Sequence, residues 1–203
     1  RVLGEVKGEP HLWEALMEMA ELSFRADRKE ATLYLSRLVY DAPEEFALRA
    51  ALLADRVLKE KATTYLLAVL GRFPRSESAP LLMVKLGEHC LEEGKQEEAL
   101  GWFLKASRQS RQDAFRARCE LKVAEVLLRM DRRSEALEQA LKVLYLYPKQ
   151  EEEKALALLL AAEIYRVQGE PERWRQACRR ALELSGSKEV LKKAKKVCPR
   201  EHR

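Results

Sequence analysis

Long apolar runs are missing from this 203-residue chain. The longest, Ala155 to Ala162, is eight residues, against the roughly 18 that a membrane span needs. Glycine (8) and proline (7) are scarce, and Val, Ile and Thr are few, which excludes a loop-rich or all-β fold. Histidine is limited to His11, His89 and His202, far apart in sequence. No HExxH, GxSxG, GxxxxGKS or GxGxxG run is present, so the chain offers no catalytic, cofactor or metal constellation. Four cysteines, Cys90, Cys119, Cys178 and Cys198, stand 29, 59 and 20 residues apart without a CxxC pair. That spacing is not a metal-ligand pattern. Cys90 and Cys178 read as small core residues, where a free thiol usually sits, and unpaired thiols favour a reducing compartment. A secretory leader is absent and the chain opens on Arg1, so a fragment or processed product is expected.

A basic body is missing as well. Lys and Arg number 38 against 33 Asp and Glu, a net charge of +5. From Lys188 to Arg203 there are seven basic and two acidic residues. Residues 1–187 therefore hold 31 of each sign and are neutral. A folded body that binds nucleic acid through a basic face is disfavoured.

What the chain has in abundance is Ala, Leu, Glu, Lys, Arg and Gln, the residues that lose least side-chain freedom in a helix. The expectation is an all-α fold. Its helices recur. In Pro80 to Asp113 an apolar helix stops at Gly94–Lys95, and a second begins at Glu97 with Ala99, Leu100, Phe103 and Ala106 on one face. Ala117 to Gln150 repeats this with a turn at Asp131–Arg132, and Ala155 to Lys188 with a second helix over Pro171 to Leu184. Upstream, the turns fall at Ala26–Asp27 and near Lys59. Aligned on the small residue of the second helix, the units place Ala31, Ala62, Ala99, Ala136 and Trp174 together, at periods of 31, 37, 37 and 38 residues. Trp174 in place of Ala predicts looser packing of the last hairpin or an opened contact between its helices.

These residues resemble the tetratricopeptide repeat, a helix–turn–helix of about 34 residues. The Pro80 unit carries Met83, Leu86–Gly87, Cys90, Gly94, Ala99, Phe103 and Ala106 at the family's positions. Ala124, Ala136 and Pro148 match in the next, and Ala162, Tyr165, Gly169 and Ala181 in the last. Ala31 and Pro43, then Ala50, Ala62 and Pro74, match in the first two. The resemblance implies a right-handed superhelical solenoid of about five repeats (12–43, 44–75, 80–113, 117–150 and 155–187) over residues 1–187. A basic cap or tail follows at 188–203, with Val190, Leu191, Ala194 and Val197 on its apolar side. The long units ending in Phe73–Pro74 and Tyr147–Pro148 are similar to those of bacterial envelope members of the family.

The resemblance further implies a non-catalytic scaffold that binds a protein or peptide segment along the first helix of each unit. Carried onto this sequence, the groove residues are Leu81, Val84 and Glu88, then Leu121, Glu125 and Leu128, then Leu156, Leu159 and Glu163. Glu88, Glu125 and Glu163 occupy one repeat position and form an acidic stripe. Leu16, Ala47, Val84, Leu121 and Leu159 form an apolar floor. Such a groove suits an extended or helical segment with apolar anchors and a Lys or Arg. The competing reading pairs each glutamate within its own helix, Lys85 with Glu88 and Lys122 with Glu125. The carboxylate clamp of the family is not matched, because Ala20, Ala51, Glu88 and Glu125 stand at its Asn positions. His89–Cys90 is the single adjacent base–nucleophile pair. Neighbours on a helix point about 100° apart, and no third residue stands out to orient the imidazole.

Two further readings stay open: a regulatory or accessory segment of a larger protein, and anionic lipid or RNA binding through the basic tail. A membrane enters only through that tail or a missing anchor, and a homo-oligomer is left open. For compartment, the envelope-like units favour the periplasm or envelope and the unpaired cysteines the cytoplasm; the start at Arg1, which implies removed N-terminal sequence, turns the expectation toward the periplasm or envelope.

Overall fold

A computed structural model describes residues 10–26, 28–184 and 186–198. Asp27 of the first predicted turn and Arg200, His202 and Arg203 of the predicted tail lie outside them, as does the side chain of Phe24. The described residues form eleven helices and no strand, so the fold is all-α. They are α1 (Pro10–Ala26), α2 (Arg28–Asp41), α3 (Glu44–Val57), α4 (Lys59–Arg72), α5 (Ala79–Glu92), α6 (Gln96–Gln109), α7 (Asp113–Arg129), α8 (Arg133–Leu146), α9 (Glu151–Gln168), α10 (Pro171–Leu184) and α11 (Lys188–Val197).

The chain divides into two compact units, residues 1–89 and 90–203, with the boundary inside α5. In the first, α1 packs on α2, α3 on α4, and α2 on α3. Ala31, Ala50 and Ala62 are fully buried, and their small side chains let the helix axes approach closely. In the second, each helix from α6 to α10 packs on the next, and α7 also packs on α9. Ala99, Ala124, Ala136 and Ala162 are fully buried here. A hairpin cannot bury both of its apolar faces alone, and the neighbour in each unit covers the second.

Local chemistry sets the turns. Gly94 (φ +77°), Asp131 (φ +59°) and Gly169 (φ +74°) are left-handed. After each, the next amide reaches back to a carbonyl in the preceding helix: Lys95 to Cys90 at 2.8 Å, Arg132 to Leu127 at 2.9 Å and Glu170 to Tyr165 at 2.9 Å. This is the same six-residue closure three times, and it satisfies carbonyls the helix end would otherwise orphan. Glycine takes that conformation without steric cost, whereas Asp131 takes it with its carboxylate paired to Arg133 at 2.6 Å.

Two expectations are corrected. Cys178 is not a free core thiol: it is disulfide-bonded to Cys198. The helical turn of α10 and the end of α11 bring together residues that their 20-residue spacing alone did not connect. Cys90 and Cys119 are free. Trp174 does not loosen the last hairpin. Ala177, Cys178 and Ala181 bury against Ala155, Leu158 and Ala162 of α9, so small residues elsewhere on α10 make the close contact. The Trp174 indole N–H instead donates to the Val197 carbonyl at 3.1 Å.

Helix α11 is well specified. The Ser187 hydroxyl caps its start by accepting from the Val190 amide at 3.3 Å. Glu189 lies in the first turn and Lys195 and Lys196 in the last, each favoured by the helix dipole. Val190, Ala194 and Val197 are buried. Leu191, expected on that side, is exposed, since it stands about 100° round the helix from Val190.

Candidate functional site

In the first unit, α5 presents Leu81, Val84 and Glu88 along successive turns. Val84 is buried, and Leu81 and Glu88 are half-buried. Glu88 accepts from Lys85 of its own helix at 3.2 Å. Lys85 also sits 3.3 Å from Asp55 of α3. His89 Nε2 lies 2.6 Å from the same carboxylate. Asp55 and His89 are both largely buried. Packing of α5 beside α3 thus gives His89 an orienting carboxylate, which the sequence did not suggest because the two stand 34 residues apart. The Lys85 ammonium is held above its ordinary range: burial opposes the charge, but the hydrogen bond to Glu88 and the two carboxylates together outweigh it. Cys90, next along the helix, is not an activated thiol. Burial, then Glu98 and Glu93, push its pKa up, which leaves little thiolate for nucleophilic attack.

In the second unit, the residues carried over from the repeat lie on α7 and α9. Leu121 and Leu159 are buried; Leu128, Leu156, Glu125 and Glu163 are half-buried. The buried apolar positions therefore serve the core. Leu159 is fully enclosed in a cluster that includes Val190, Ala194 and Val197 of α11, and Leu156 packs against its edge. Glu125 accepts from Lys193 of α11 at 2.5 Å, across 68 residues of sequence, in place of the expected pairing with Lys122. The Lys122 ammonium lies 5.6 Å from the Phe103 ring centre. Glu163 makes no ion pair among the described residues. Next to this face, Arg118 donates to Glu153 at 2.9 Å. Glu153 is buried while the Arg118 side chain is mostly exposed. That hydrogen bond first, and then the charges of Glu153, Glu152 and Glu189, raise the arginine further above its ordinary range against a smaller opposing effect of burial.

Cys119 is the most deeply masked thiol. Burial, with Glu120 adding to it, pushes its pKa up to about 12. Away from the α7–α9 face, a cleft opens between α8, α9 and α10. Leu141, Leu144, Tyr145 and Tyr165 line it, and Lys154, Arg173 and Arg180 rim it. Its charge is opposite to that of the glutamate stripe. No helix of the described residues is long and apolar enough to cross a membrane.

Neither a protein-family model nor a curated protein matches the sequence. Solved structures do. PilF of Pseudomonas aeruginosa is 20% identical with a TM-score of 0.62, covering 96% of this chain and 88% of that one. MamA MSR-1 is 20% identical with a TM-score of 0.58, covering 85% and 96%. MamA AMB-1 is 18% identical with a TM-score of 0.59, covering 90% and 98%. The chain has the tetratricopeptide type of helical-repeat fold that these structures share.

Proposed function

We propose that this chain is a non-catalytic protein-interaction scaffold that binds a protein or peptide segment on the first helices of its repeats. One observation carries the reading. The glutamate at a single repeat position stays half-exposed in three successive units, as Glu88, Glu125 and Glu163, while its apolar neighbours Val84, Leu121 and Leu159 are buried. Within the second unit, Glu125 of α7 and Glu163 of α9 stand beside the apolar Leu121 and Leu159, and carboxylates over an apolar base select a basic, apolar-anchored segment. The masked thiols of Cys90 and Cys119 support a role without covalent chemistry.

The test is a peptide screen with both charge signs. Basic helical peptides are expected to bind, and replacing Glu88, Glu125 and Glu163 together with Gln should weaken them about tenfold, roughly 1.4 kcal/mol. Unchanged affinity would defeat the acidic-stripe reading, and binding of acidic peptides alone would point to the basic-rimmed cleft beside Tyr145.

The setting we propose is an assembly in the bacterial envelope. The Cys178–Cys198 bond supports it, because such bonds persist in oxidising compartments. Cells quenched in acid and alkylated under denaturing conditions should show both cysteines protected, and alkylated thiols at these positions would remove that support.

A further inference from the structure

Helix α11 does more than close the end of the second unit. To cover the last hairpin, its apolar stripe of Val190, Ala194 and Val197, clustered with Leu159 of α9 and Ala177 and Ala181 of α10, would suffice. Yet Lys193, on the flank of that stripe, reaches Glu125 on α7, while α9 lies against both α7 and α11. The helix thus presents the features that suit the glutamate-bearing face: small apolar anchors with a lysine beside them.

We infer that α11 is an internal occupant of the partner-binding face of α7 and α9, and that the external partner of this face is a basic amphipathic helix that takes its place. The inference rests on the scaffold reading above and names the partner class. Charge complementarity selects the sign: Glu125 meets Lys193, and Glu163 carries no ion pair among the described residues. The occupant is latched. Its far end is tied to α10 by the Cys178–Cys198 bond and by the Trp174 indole on the Val197 carbonyl. Its near end follows Gly186 and the Ser187 cap.

Release begins with a dithiol reductant. The S–S bond breaks, each cysteine sulfur gains one electron and one proton, and the reductant's two thiols are oxidised to a disulfide. Both cysteines are fully buried, so the exchange requires α11 to lift. Once the bond is open, non-covalent contacts alone hold the helix, and a competing helix displaces it.

The probe is a fluorescein-labelled peptide of residues 187–198 carrying Cys198→Ser, titrated with the full chain by fluorescence anisotropy. The oxidised chain should bind it about tenfold more weakly than the chain treated with dithiothreitol, because the site is already occupied. In the reduced chain, Glu125→Lys should weaken the probe about fivefold, and a probe carrying Lys193→Glu should recover the loss. Equal binding by oxidised and reduced chains, or indifference to the charge swap, overturns the inference.

A second measurement needs no reduction. With the disulfide intact, Lys193→Glu should speed hydrogen exchange of α11 amides about fivefold, and adding Glu125→Lys should restore protection. Unchanged exchange also overturns it. A screened peptide that binds the oxidised chain without competing with the probe overturns this inference and leaves the scaffold standing. A reduced chain that binds the probe and no other basic peptide defeats the scaffold and overturns the external partner inferred here, leaving α11 as a cap alone.

Discussion

The two units hold their helices together by different chemistry. In the first, the polar contacts between α2 and α4 are neutral or directed at the backbone, and charge enters where Asp55 of α3 meets Lys85 and His89 of α5. The Ser36 and Tyr65 hydroxyls meet at 2.6 Å between α2 and α4. The Arg72 guanidinium donates to the carbonyls of Val39 at 2.5 Å and Ala42 at 2.8 Å, supplying donors that the end of α2 lacks. In the second, charged and covalent links join the helices, Arg118 to Glu153, Lys193 to Glu125 and Cys178 to Cys198, beside the neutral bond from Trp174 to the Val197 carbonyl. The contrast extends to the shared repeat position. Glu88 is paired with a lysine of its own helix, and Glu125 with a lysine 68 residues away. One sequence position has two fates because what packs over it differs.

The largest expected effect comes from removing the covalent difference. Cys178→Ala with Cys198→Ala opens a loop of 20 residues, and chain-entropy arguments put the loss at about 3 kcal/mol. Hydrogen exchange read helix by helix should show it as lost protection in α10 and α11. Helices α1 to α4 contain no cysteine and serve as the internal reference. If α10 and α11 keep their protection, the apolar stripe and Trp174 alone hold the cap, and the contrast between the units shrinks to electrostatics.

Local features of the fold were legible in the sequence. The helical composition, the turns at Gly94, Asp131 and Gly169, and the α11 helix all depend on neighbours within a few residues, so periodicity and turn chemistry reveal them. Contacts between elements were not. Asp55 with His89 and Glu125 with Lys193 are set by how helices pack, and nothing in either residue's local sequence marks its partner. The disulfide was hidden for the same reason. Trp174 misled because alignment on one small residue assumed an unchanged contact point, whereas α10 makes its close approach through Ala177 and Ala181. Among the candidate residues, the repeat pattern located Leu121 and Leu159. It could not show that the core encloses them, since that depends on how helices pack, and for Leu159 on α11.

The smallest expected effect tests the electrostatic part of the contrast alone. Double-mutant cycles on Lys85–Glu88 and on Lys193–Glu125, each with Lys→Met and Glu→Gln, isolate the two pair energies. Both pairs are partly exposed, so solvent screens them and neither should exceed about 1 kcal/mol. The pair within one helix should give about 0.2–0.5 kcal/mol. The pair between α7 and α11 should give a coupling that also appears in α11 exchange rates, because breaking it frees a second element rather than a side chain on the same helix. Raising salt to 1 M shortens the screening length to about 3 Å, and both couplings should fall. If the α7–α11 coupling is absent from α11 exchange at low salt, Lys193 merely rests on Glu125, and the two units differ in their disulfide and hydrogen bonds but not in the role of this charge.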